Sequence, residues 1–63
     1  MYIFNYKNKK IQINNLNINQ YPEETLIETI ISKIEEANKL TKKEIEELNE
    51  KSNYEIMLGL NVA

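Results

Sequence analysis

Tyr2-Ile3-Phe4-Asn5-Tyr6-Lys7-Asn8-Lys9-Lys10-Ile11-Gln12-Ile13 is the stretch that separates an α+β chain from a bundle of helices. Tyr2, Phe4 and Tyr6 alternate with Ile3 and Asn5. That is the period of two of a half-buried strand, and aromatic and β-branched side chains favour it. Lys7-Asn8-Lys9 interrupts the run with polar residues, and Asn8 tolerates the left-handed backbone of a tight turn. Ile11 and Ile13 resume the alternation, so a β-hairpin is predicted over about residues 2–14. At Asn14-Asn15 the phase slips, because Leu16 and Ile18 fall on the other parity, and a bulge or a turn would absorb the extra residue. A two-stranded hairpin is marginal in water, so this one must pack on helices or pair with another chain.

Helices are predicted downstream. Pro22 suits a first helical position, and Glu23 and Glu24 complement the positive end of a helix. Leu26, Ile27, Ile30, Ile31, Ile34 and Ala37 repeat at i, i+3 and i+4 as one broad apolar stripe, which predicts a helix over about 22–38. Thr41 with Glu44 forms a capping-box pattern that opens a second helix over about 42–51, carrying Ile45 and Leu48. Ser52 with Glu55 repeats the pattern. Either a short third helix covers about 53–59, or the second helix extends to Leu58, with Gly59 as the C-cap in both versions. The tail Leu60-Asn61-Val62-Ala63 is expected to be loosely held unless something packs on it. The fold class is therefore α+β, a single small domain over residues 1–63 in which an N-terminal hairpin packs against two or three short helices.

Composition narrows the chemistry. A chain of 63 residues holds one small core, worth only about 3–5 kcal/mol of net stability. Cys and His are both absent, so disulfide, zinc-finger and thiolate-cluster scaffolds are excluded. Ten Ile residues point to dense aliphatic packing instead. Asn, Ile, Lys and Glu dominate while Arg, Asp and Trp are missing, the amino-acid signature of an AT-rich genome such as a low-GC bacterium, its phage or its plasmid. No apolar run reaches the length of a membrane span, and the N-terminal residues place apolar side chains before charges with no small-residue cleavage site. Neither a membrane anchor nor a secretory signal is expected, and a cytoplasmic location is.

Charge changes sign along the chain. Residues 1–20 carry Lys7, Lys9 and Lys10 with no acid, a formal +3, whereas residues 21–63 carry a formal −5. Glu44, Glu46, Glu47 and Glu50 form the densest acidic run. One reading is a solvated helix face balanced by Lys42, Lys43 and Lys51; the other is a surface presented to a basic partner. The three hairpin lysines beside Tyr2, Phe4 and Tyr6 have the elements of a phosphate-and-base contact, but without arginine they read better as a solubilising turn beside core aromatics. Leu40–Leu48 resembles the entry of a helix-turn-helix unit over about nine residues, yet the turn lacks its glycine and the next helix has no basic residue for a groove.

No catalytic set is legible. Ser-His and Cys-His pairs cannot be assembled, one glycine does not make a phosphate loop, and a metal would depend on glutamates spaced like solvated helix faces. The expected function is non-enzymatic: a protein-binding accessory or inhibitor, encoded by a phage or mobile element and acting on a host protein, with no cofactor and no metal. The expected partner-binding residues are Glu46, Glu47, Glu50, Tyr54, Met57 and Leu58; Tyr54, Met57 and Leu58 share one face at i, i+3 and i+4, where they either cap the core or form an exposed interface patch. A nucleic-acid-associated, antitoxin-like dimeric regulator and a structural assembly subunit are the alternatives. A homodimer is also expected, because strand 2–6 carries no charge and no Pro and its edge is poorly defended. Tyr2, Phe4 and Tyr6 would be its self-association residues, joining two hairpins into one sheet.

Overall fold

The computed structural model describes residues 1–63. The hairpin forms from β1 (Tyr2–Tyr6) and β2 (Lys9–Ile13), paired antiparallel with Phe4 opposite Ile11 and Tyr6 opposite Lys9. That register leaves a two-residue turn, and both of its residues have positive φ, 46° at Lys7 and 65° at Asn8. Two successive left-handed residues are the type I′ geometry whose twist matches that of paired strands. The phase slip after Ile13 is a turn, with Asn15 at φ 59° and a 3-10 helix over Ile18–Gln20 whose Asn17 side chain accepts from the Asn19 N–H.

Three α-helices follow: α1 (Glu23–Ala37), α2 (Lys42–Glu50) and α3 (Asn53–Leu58). Pro22 is the N-cap of α1 and lies just outside the first helical position expected for it. Its own side chain makes no cap bond, and the helix ends on Asn38 in the left-handed conformation. Both predicted capping boxes are complete, Thr41 with Glu44 and Ser52 with Glu55, so the last helical segment is separate from α2.

The tail departs from expectation. Leu60–Val62 forms a third strand, β3, antiparallel to β1, giving the sheet order β2-β1-β3. Asn5 N–H donates to the Gly59 carbonyl at 2.8 Å and Ala63 N–H to the Met1 carbonyl at 3.1 Å, bracketing the three strand pairs. β1 is therefore the central strand, and the edge expected to join a second copy is already occupied. Tyr2, Phe4 and Tyr6 point to the helix side of the sheet, with Phe4 in the core and both tyrosines half-buried against it. Pairing with β3 satisfies the main-chain groups that made the edge adhesive, so self-association through β1 is corrected.

Ten side chains form one continuous core: Phe4, Ile11 and Ile13 from the sheet, five from α1, Leu48 from α2 and Ile56 from α3. All are apolar, and no buried side-chain polar atom lacks a partner. Gly59 does cap α3, but its φ of −81° is open to any residue. Packing explains the glycine. A Cβ there would come within 2.9 Å of Phe4 Cε1 and 3.0 Å of the Asn5 carbonyl oxygen, so only glycine lets the chain turn from α3 into β3 this close to β1.

Candidate functional site

The hairpin tip rests on α2 through charge. Lys7 Nζ lies 2.8 Å from Glu47 Oε1, and the Tyr6 hydroxyl donates to the same oxygen at 3.2 Å. Lys9 Nζ lies 2.9 Å from Glu44 Oε1 and also donates to the Lys39 carbonyl at 3.3 Å. Glu44 does double duty, because Oε1 also accepts the Thr41 N–H of its own capping box at 2.9 Å. The acidic run is thus divided. Glu44 and Glu47, one turn apart, face the hairpin, while Glu46 and Glu50 stay exposed and join no ion pair.

Titration follows these contacts. The Thr41 backbone N–H, and then Lys9, hold Glu44 below the ordinary carboxylate value, and Lys7 does the same for Glu47. Glu47 in turn raises Lys7, and burial, followed by the bond to Glu47, raises the Tyr6 phenol. Glu55 is lowered mainly by the Ser52 backbone N–H in its capping box. Each shift belongs to a cap or to the clasp between the hairpin and α2.

Beside this clasp lies a surface groove of about 360 Å³. Phe4, Leu48 and Ile56 form its floor, and Tyr6, Lys51 and Leu58 are on its rim. The ammonium groups of Lys7 and Lys51 lie 5.5 and 6.0 Å from the Tyr6 ring centroid, within cation–π reach. Lys51 otherwise makes only a 4.0 Å pair with Glu55.

On α3 the expected apolar face splits. Ile56 enters the core and Met57 packs half-buried against it, whereas Tyr54 is 72% exposed and Leu58 63%. At about 3.6 residues per turn, Tyr54 and Leu58 stack one turn apart on the side opposite Ile56. So Met57 caps the core, while Tyr54 and Leu58 are the exposed pair. No protein-family model, curated protein or solved structure matches the chain. No helix is long and apolar enough to cross a membrane.

The nine residues expected to meet partners are therefore distributed over four settings. Leu58 lies on the rim of the groove with Tyr54 exposed one turn away on α3, and Glu46 and Glu50 lie on the exposed side of α2. Glu47 is engaged by Lys7, and Tyr2, Phe4, Tyr6 and Met57 support the core. Lys7, Lys51, Glu55 and Gly59 also line the groove, and no local sequence pattern marks them for it. The acidic run is paired by Lys7 and Lys9 of the hairpin and not by Lys42, Lys43 or Lys51. The sign change between the first twenty residues and the rest was the available signal, because opposite charges in one small domain tend to meet.

Proposed function

We propose that this chain is a non-enzymatic protein-binding protein, an accessory or inhibitor, whose docking surface is the outward face of α3 and the groove beside it. One observation carries the reading. Tyr54 and Leu58 stand one turn apart, mostly exposed, in a domain that buries or half-buries most of its large apolar side chains. Leu58 on the rim of a groove with an apolar floor and a charged rim, with an exposed tyrosine one turn away, has the make-up of an interface centre. Glu46 and Glu50, exposed and free of ion pairs, would steer a partner with a basic surface. The AT-rich composition fits a phage or mobile-element product acting on a host protein.

The test is affinity capture from host lysate with the parent and with a Tyr54→Ser, Leu58→Ser double variant. Both side chains are exposed, so the variant should melt within a few degrees of the parent. The expected result is a specific host protein retained by the parent and released by the variant. Equal retention by both would reject this surface, and retention of nucleic acid alone would favour a regulator.

A further inference from the structure

The two outer edges of the sheet are built differently. β2 carries Lys9 and Lys10, and lysines on an outer strand discourage other strands from pairing with it. β3 has no such protection. From Ile56 to Val62 the chain carries neither a charge nor a proline, and Val62 is 79% exposed.

The register shows which main-chain groups on β3 are free. Antiparallel pairs alternate between those that exchange hydrogen bonds and those that do not. Asn5 bonds to Gly59 and Ala63 bonds to Met1, so the bonded pair between them is Ile3 with Asn61. Leu60 and Val62 therefore direct their N–H and C=O groups away from β1, toward the open edge.

We propose that this edge joins a second copy of the chain in a two-fold antiparallel pairing centred on Asn61. Leu60 then lies opposite Val62 of the second copy, and Val62 opposite its Leu60, with about four main-chain hydrogen bonds between them. Both apolar side chains lie on the helix side of the sheet, where pairing shields the exposed Val62. The Asn61 amides face each other on the outer side. In a two-fold antiparallel pairing the central residue faces its own copy, so a charge at that position would meet its like. β3 has none, whereas a β2 pairing centred on Lys10 would oppose two lysines. The result is one six-stranded sheet with Lys-bearing β2 strands at both outer edges. Three-residue strands make a small interface, so the dimer belongs to the weak class that forms only as concentration rises.

Sedimentation equilibrium from micromolar to millimolar concentration tests this. The parent mass should rise from 7.5 kDa toward twice that value. Val62→Lys should abolish the rise. So should methylation of the Val62 backbone nitrogen in a chemically synthesised chain, which removes an outward N–H and leaves the bonds to β1 intact. Gln12→Lys on the β2 edge should dimerise like the parent. A constant one-chain mass for the parent overturns the proposal, as does association that survives both Val62 changes or is lost in Gln12→Lys. Because Tyr54 and Leu58 are untouched, this result is independent of capture through α3.

Discussion

Helix α1 buries five apolar side chains and has no side-chain bond at its N-cap, whereas α2 and α3 bury one each and both open on complete capping boxes. The long helix is held by tertiary burial, and its ends need little help. The short helices would be unstable alone, since nucleation is costly and a few residues recover little of it. Both depend on caps and on a single core residue each, and α2 depends also on the Lys7 and Lys9 clasp. The contrast places the exposed pair Tyr54 and Leu58 on the less deeply anchored side of the molecule, where local adjustment to a partner costs least.

Substitutions in α1 should have the largest effect. Ile30 and Ile34 are fully buried, and truncating either to Ala should cost about 2–5 kcal/mol. That is enough to unfold much of a population this small in stability. Thermal or denaturant melts measure it, and a variant melting within a degree or two of the parent would mean that α1 is not the anchor.

The caps come next. Thr41→Ala and Ser52→Ala should each cost about 1 kcal/mol. Amide hydrogen exchange sharpens the test: protection should fall in α2 for Thr41→Ala and in α3 for Ser52→Ala, with α1 changed only through global stability. Equal loss across all three helices would show that the short helices have no local stability of their own.

The smallest effect concerns the clasp. Glu44 and Glu47 have lowered values in the fold, so their contribution is present above the ordinary carboxylate value of 4.5 and lost as pH falls through the lowered values. Lys7 and Tyr6 have raised values, so their contribution is present below 10.5 and 10.0 respectively and lost as pH rises through the raised values. These groups are near the surface, so the effect is modest and screened by salt. Glu47→Gln should flatten the melting profile at both pH extremes relative to the parent. Superimposable profiles would mean that the ion pair is geometrically present but energetically neutral.

What neighbours a few residues apart can set was legible in the chain. The alternation of Tyr2, Phe4 and Tyr6, the stripe from Leu26 to Ala37 and the boxes at Thr41 and Ser52 are short-range patterns, because strand pleat, helix turn and N-cap bonds span at most about four residues. Contacts between distant segments set the rest. Leu60–Val62 is too short for alternation to be read, and it becomes a strand only because β1 offers an unpaired edge. Glu47 finds Lys7 across a separation of 40 residues, which no local pattern encodes. Gly59 reads as a helix stop but is required by the Phe4 ring packed against it. Whether Tyr54, Met57 and Leu58 belonged to the core or to the surface depended on which side of α3 met α1 and the sheet. Ile56 occupies that side, so its neighbour Met57 is drawn in and Tyr54 and Leu58 are left facing solvent.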